Sequence, residues 1–261
     1  MNEVNKTLYI PLYGKSFVSR QGIILHDAKA EEIWEKEGFS LKGRSASKWL
    51  AYKMAMRARV FDDWTDHMLE KDPDAIVIHI GCGMDSRCLR VKQQYKCWLD
   101  CDFPDVLAVR RRYYEETASY HMMELDATDT EKIKALPDGG SAIIVLEGIS
   151  MYLTNDQLRD LIFALKQKYN KINVFMDVYT VRGAEASEKK NPINDVGVTK
   201  TYGVDDLGGL LADTGVKVIS EHSFTPAQLI AELKPSERGF FKMLFTGRTY
   251  GKFYRLFELA S

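Results

Sequence analysis

The segment Ile76-Val-Ile-His-Ile-Gly81-Cys-Gly83-Met-Asp85-Ser-Arg87 runs a buried-strand pattern into two glycines and then a helix start. Glycines at such a turn adopt positive φ and let the backbone come close to a ligand. About twenty residues on, the usual spacing of a ribose-binding acid from its glycine loop, Trp98-Leu-Asp100-Cys-Asp102 ends a second apolar run. An acid there accepts both hydroxyls of a ribose. Open parallel sheets bind ligands at the carboxyl ends of their strands, so both features belong to one cleft. The pair points to a ribose-containing cofactor; a glycine turn beside an ordinary surface acid is the plain alternative.

The loop also restricts the kind of cofactor. A dinucleotide fingerprint, G-x-G-x-x-G, needs a third glycine beside the pyrophosphate. Ser86 holds that place, preceded by Asp85. A carboxylate at the helix start repels a pyrophosphate that seeks the same N–H groups. A cofactor without phosphate suits the loop, and S-adenosylmethionine meets the description with its ribose, adenine, amino-acid end and sulfonium. Two further strand-end acids, Asp126 in Glu-Leu-Asp-Ala and Glu147 in Val-Leu-Glu-Gly, face the same cleft. A nicotinamide-dependent oxidoreductase shares the strand, turn and first acid, and is the alternative from another class.

The four cysteines, Cys82, Cys88, Cys97 and Cys101, cluster just after His79. They contain no C-x-x-C pair, so we expect small apolar residues in a reducing compartment and no metal.

The elements that must position these residues follow from the apolar pattern. Apolar runs at 75–80, 96–100, 120–125, 141–146, 172–178 and 216–220 alternate with helical segments such as 104–117, 155–168 and 204–214. Strand–helix alternation of this kind gives a parallel sheet covered on both faces. A last strand-like run, 252–259, follows a connection too long for a tight hairpin. Residues 1–72 read as a separate helical cap, and 73–261 as the core. In the cap, 27–37 forms a short helix, and Ser45 or Ser47 caps a longer one to about Glu70. That helix has two apolar sides, Trp49-Tyr52-Met56-Val60 and Leu50-Met54-Phe61-Met68, and carries Arg57 and Arg59. Arg59 lies beside the Met56 stripe, where its guanidinium snorkels, pairs with Asp62 or Asp63, or meets an anionic ligand.

Lys and Arg total 36 against 37 Asp and Glu, a net charge of −1, which argues against nucleic acid as a partner. The chain of 261 residues is 45% hydrophobic and 28% charged, in the globular range. No apolar stretch approaches the roughly 18 residues of a membrane span. The first seven residues lack the basic and apolar regions of a signal peptide, so a cytoplasmic protein is expected. Nothing in the sequence fixes the oligomeric state.

Taken in order, Ala58-Arg-Val, Ile80-Gly-Cys-Gly-Met-Asp, Asp100-Cys-Asp-Phe-Pro-Asp, Leu125-Asp-Ala and Leu146-Glu-Gly-Ile-Ser-Met-Tyr-Leu form one pattern. The chain resembles the class I methyltransferases of the leucine carboxyl methyltransferase group, in particular the bacterial branch of tetracenomycin-type polyketide O-methyltransferases. The likeness is strong over residues 60–155; Leu8-Tyr-Ile-Pro-Leu-Tyr-Gly-Lys and His26-Asp-Ala match more weakly. The family's usual Asp-Thr after the glycine loop is Asp85-Ser86 here, which keeps the hydroxyl.

The resemblance implies a Rossmann-like α/β fold with a seven-stranded, mostly parallel sheet whose last strand is antiparallel. It implies that the cap closes over the cofactor and that 179–202 helps form the acceptor pocket. It assigns Arg59 to the cofactor's carboxylate, with Lys15 assisting. Gly81 approaches the methionine portion, beside Cys82 and Gly83. Asp102 takes the ribose hydroxyls, with Asp100 as helper and Phe103 alongside. Asp126 and Ala127 contact adenine, and Glu147 with Gly148 faces the sulfonium end. Tyr152 lines the methyl-transfer site.

The implied activity is S-adenosylmethionine-dependent O-methylation of a small molecule, releasing S-adenosylhomocysteine. A related reading takes a protein C-terminal carboxylate as acceptor. Such a displacement needs alignment and water exclusion more than a strong acid. A carboxylate acceptor needs a cationic clamp, for which Arg20, Arg182 and Lys200 are candidates. A phenol, with a free pKa of about 10, gains from a base. His26 and His222 are candidates for it, and Asp177, closing Phe-Met-Asp-Val-Tyr, for polarising the acceptor. For Asp177 the plainer reading is a strand-end acid that caps a loop.

Overall fold

Seven apolar runs become seven strands in the computed structural model, which describes residues 8–190 and 200–261. Residues 1–7, used above for the signal-peptide argument, and 191–199 of the expected acceptor segment lie outside the described residues. The strands are β1 (Ile76–Ile80), β2 (Cys97–Asp102), β3 (Tyr120–Glu124), β4 (Ser141–Leu146), β5 (Lys171–Tyr179), β6 (Lys217–His222) and β7 (Tyr254–Ala260). They form one sheet in the order β3-β2-β1-β4-β5-β7-β6. Neighbours from β3 through β5 pair in parallel, and β7 runs antiparallel to both β5 and β6. The expected Rossmann-like sheet with a reversed last strand is therefore present. Strand order reverses between β1 and β4, and a ligand crevice opens at such a switch point.

Every residue of β1 is buried, as a strand covered on both faces requires. One cover is α3 (Lys48–Lys71), the long helix before the first strand. Its Trp64 stacks on Phe175 of β5 at 4.8 Å, and Phe61 meets the same ring edge-on at 4.7 Å. The other face carries α7 (Asn155–Lys168), which buries Leu158, Leu161, Ile162 and Leu165. Thr154 and Gln157 start α7 with a reciprocal capping box.

Ahead of α3 lie α1 (Tyr9–Ser19) and α2 (Ala28–Glu37), the latter capped by Asp27. A side chain at Gly14 of α1 would stand 2.9 Å from Met54 Cβ, so glycine permits the close α1–α3 crossing. Short helices α4 (Arg87–Arg90), α5 (Pro104–Arg110), α6 (Thr130–Lys134) and α8 (Val181–Lys190) link the strands. Further on come α9 (Leu207–Leu210), α10 (Ala227–Ile230), α11 (Pro235–Phe245) and α12 (Gly247–Gly251).

Two helices are shorter than the pattern predicts. The 104–117 segment stops at Arg110, whose buried side chain bonds Asp100, the Tyr120 hydroxyl and the Gly83 carbonyl. The 204–214 segment keeps only α9, where Gly208 and Gly209 weaken helix propagation. No helix among the described residues is long and apolar enough to cross a membrane.

Candidate active site

The carboxyl ends of β1 to β5 surround a cleft of about 890 Å³. At its floor, Gly81 and Gly83 hold φ of 71° and 53°. A Cβ on Gly81 would lie 2.1 Å from Ile149 Cγ2, so the loop is closed to any other residue in this geometry. Asp85 follows, paired with Lys15 of α1 and, at 3.1 Å, with Arg90. Its Oδ1 also accepts the Arg87 backbone N–H at 2.7 Å. Burial alone would raise the Asp85 carboxyl, but Arg90, Lys15 and Arg87 hold it well below the usual range.

Asp102 ends β2 with its oxygens accepting N–H bonds from Gly83 at 2.7 Å and Phe103 at 2.8 Å. Burial pushes its pKa up against those two donors. Asp126, after β3, accepts both the N–H and hydroxyl of Thr128 on Oδ1. Glu147, after β4, receives Arg57 Nε at 2.9 Å and Arg87 Nη2 on its other oxygen. The two guanidinium groups outweigh burial and hold Glu147 at about 2. From β5, Asp177 accepts the Gly148 N–H at 2.7 Å and Arg57 Nη1 at 3.1 Å, and the Tyr254 hydroxyl bonds the same carboxylate.

With that geometry established, comparison with known proteins decides the family. The sequence profile of the leucine carboxyl methyltransferase family matches residues 3–166. The chain belongs to that family. It is an S-adenosylmethionine-dependent O-methyltransferase. It is 28% identical over 242 residues to the tetracenomycin polyketide synthesis O-methyltransferase TcmP of Streptomyces glaucescens, spanning 90% of this chain and 88% of that one. A 128-residue stretch is 35% identical to the S-adenosyl-L-methionine-dependent methyltransferase dpfgK of Gibberella zeae, covering 46% and 43% of the two chains. In fold it is similar to an S-adenosylmethionine-dependent methyltransferase of Anabaena variabilis, at a TM-score of 0.56, 12% identity and coverage of 90% and 93%. It is also similar to magnesium protoporphyrin IX methyltransferase of Synechocystis with S-adenosylhomocysteine bound, at 0.51, 12%, 88% and 93%.

The residues of this methyltransferase fit a ribose-bearing cofactor that lacks phosphate. After two N–H bonds, each Asp102 oxygen keeps a lone pair for a hydroxyl. The Arg87 N–H that a pyrophosphate would take already belongs to Asp85, which removes the support for the nicotinamide alternative.

Most of the sequence-derived candidates meet in the cleft: Lys15, Gly81, Cys82, Gly83, Asp102, Phe103, Asp126, Ala127, Glu147, Gly148 and Tyr152 all line it. Arg59 is a correction. It sits outside, a third exposed, donating to Asp63 at 2.8 Å and to the Ile24 carbonyl at 2.9 Å. Arg57 takes the cleft position instead, because two residues along a helix turn the side chain by about 200°. Asp100 is a second correction. It is fully buried on Arg110, Tyr120 and Trp98, with no face on the cleft.

Asp177 also lies behind the cleft wall, bracing Arg57 and the loop after β4 rather than meeting an acceptor. His222 bonds Glu258 at 3.0 Å and packs on Phe175, and His26 lies beside Ser19; neither reaches the cleft. Arg20, Arg182 and Lys200 are outside it as well. Among the described residues, no group of three or more His, Cys, Asp or Glu is placed to hold a metal.

Among the cleft-lining cations missed from the sequence are Arg57 and Lys53. Their signal was present: both occupy the strip of α3 between its two apolar sides, one turn apart. Tyr254, which shares Asp177 with Arg57, comes from β7, about two hundred residues away in sequence, and no local pattern marks it.

Proposed function

We propose that this enzyme methylates an oxygen of a small aromatic molecule of polyketide-like shape. The observation that carries the reading is the continuity of the cleft. One cavity is lined by the strand-end acids Asp102, Asp126 and Glu147, by Arg57, and by Trp49, Phe245, Tyr250, Phe253 and Tyr254. Flat aromatic ligands pack on such walls. A protein C-terminus as acceptor calls for an open, cation-lined groove, whereas Lys15, Lys53 and Arg57 are all buried.

In this reading Asp102 takes the ribose hydroxyls, while Asp126 and Ala127 take adenine. Lys15 and Arg57 face the carboxylate end, and Glu147 with Gly148 borders the sulfonium. Cys82, Gly83 and Phe103 shape the floor, and Tyr152 borders the transfer site. When bound, the cofactor supplies a methyl carbon already activated by the sulfonium. The protein's own residues align the acceptor with that carbon and exclude water. Arg57 keeps its charge throughout: burial disfavours it, but Tyr254, Glu147 and Asp177 raise its pKa well beyond the ordinary value.

Helices α1 and α3, from the proposed cap of residues 1–72, supply one wall, and Tyr179, Gly183, Ala186 and Ser187 from the 179–202 segment supply part of another. Four unpaired thiols favour a reducing, cytoplasmic setting.

Calorimetric titration with S-adenosylhomocysteine, with NADH in parallel, tests the cofactor assignments. Saturable binding that falls in Asp102→Ala, with none for NADH, is the expected result. Unchanged affinity in Asp102→Ala would remove the ribose assignment. Transfer of labelled methyl to a panel of aromatic acids and phenols then tests the acceptor class.

A further inference from the structure

Lys53 is a buried cation of the cleft for which no carboxylate partner is found among the described residues. It lines the cleft and is only 4% exposed. Its Nζ stands 4.1 Å from the ring centre of Tyr254, 5.2 Å from that of Phe224 and 5.9 Å from that of Tyr250. Among the described residues, no carboxylate lies within ion-pairing distance of it, whereas Lys15 has Asp85 and Arg57 has Glu147 and Asp177. A buried ammonium without an anion is strongly disfavoured. The site therefore either holds a neutral amine or receives its anion from a ligand.

We propose that Lys53 binds the acceptor oxygen of an acidic aromatic substrate, holding it as an oxyanion against its own ammonium. This deepens the methyltransferase reading and rests on it. The groups facing Lys53 are Arg57 on α3, Glu147 after β4, Asp177 on β5, Phe224 after β6, Tyr250 on α12 and Tyr254 on β7. Burial and the Arg57 charge depress its pKa well below the ordinary lysine value, against the pull of Asp177 and Glu147.

Two acceptor sources share this chemistry. With a phenol, the O–H bond breaks, the proton goes to the Nζ lone pair, and the oxygen keeps the electrons. With a carboxylate, ionised at pH 7, the proton on Nζ comes from solvent. Both end as an ammonium–oxyanion pair whose oxygen has a lone pair available for the methyl carbon.

The test titrates the full chain, saturated with S-adenosylhomocysteine, with 2-naphthoate and 2-naphthol. Calorimetry in buffers of different ionisation enthalpy reads the protons exchanged. The expected result is that naphthoate binding takes up about one proton more than naphthol binding does. Lys53→Met should weaken whichever probe binds by about ten- to a hundredfold, with S-adenosylhomocysteine binding retained as the folding control. Lys53→Arg, charged in every state, should keep naphthoate binding and exchange no proton with it.

Equal proton exchange for the two probes, or unaltered probe affinity in Lys53→Met, overturns the proposal. Binding of S-adenosylhomocysteine with neither probe bound overturns it alone. Failure of S-adenosylhomocysteine to bind the wild type overturns the cofactor reading as well.

Discussion

Asp85 Oδ1 accepts the backbone N–H of Arg87 at 2.7 Å, so the first turn after the glycine loop carries its anion within the chain. The same carboxylate pairs with Lys15 and Arg90, which ties α1 to the glycine loop. One acid thereby does two things. It closes the helix start to a phosphate, and it joins the cleft wall to its floor.

Asp85→Asn should therefore loosen both. Lys15 and Arg90 would each lose a buried partner, and breaking such a pair destabilises by about 3–5 kcal/mol. Denaturant midpoints should fall accordingly, with S-adenosylhomocysteine affinity falling in the same variant. Retention of both wild-type values would show that the carboxylate holds nothing in place.

Arg57 and Arg59 make a matched pair for testing the helix register. Arg57→Met strips Glu147 and Asp177 of their shared cation in a buried site, with an expected loss of about 3–5 kcal/mol and of cofactor binding. Arg59→Met removes a partly exposed pair with Asp63, worth about 0–1 kcal/mol, and should bind S-adenosylhomocysteine normally. The reverse ranking in thermal shift and calorimetry would restore Arg59 to the cleft.

These two arginines also show where sequence reasoning stops. The glycine loop and the acids Asp102, Asp126 and Glu147 were legible because each follows a run of apolar residues whose end fixes its position in the sheet. Arg57 and Arg59 sit on a helix with two apolar sides, where rotation about the axis decides which of them meets the cleft. That rotation is set by Phe61 and Trp64 packing on Phe175, a contact more than a hundred residues distant in sequence. Asp100 failed for a similar reason. It shares a face of β2 with Asp102 but lies two residues back from the strand end, where Arg110 and Tyr120 claim its carboxylate from α5 and β3.

Gly81 carries a prediction with two separable parts. Gly81→Ala places Cβ against Ile149 and forces a left-handed backbone on an L-residue. The variant should lose cofactor binding, measured by calorimetry. Adding Ile149→Ala relieves the contact but leaves the backbone penalty of about 1–2 kcal/mol. The double variant should therefore recover stability only in part; full recovery would mean the positive φ imposes nothing.

Asp100 supplies the pH dependence. Burial raises its pKa, yet Arg110 and His79 outweigh burial and hold the folded-state value at about 2. An unfolded Asp titrates near about 3.9, so its ionised form is favoured by folding. That contribution, roughly 2–3 kcal/mol, is complete above about pH 5 and disappears as pH falls towards about 2. Asp100→Asn removes it. The stability gap between wild type and variant should thus be constant from pH 7 to 5 and shrink between pH 4 and 2. Asp102, whose pKa is shifted upward, contributes with the opposite sign but is present in both proteins, so it drops out of the difference. Guanidinium midpoints of both proteins at pH 7, 5, 4 and 3 measure the gap. A gap that persists unchanged at pH 3 would show that Asp100 stabilises the fold through packing and neutral hydrogen bonds, not through its charge on Arg110.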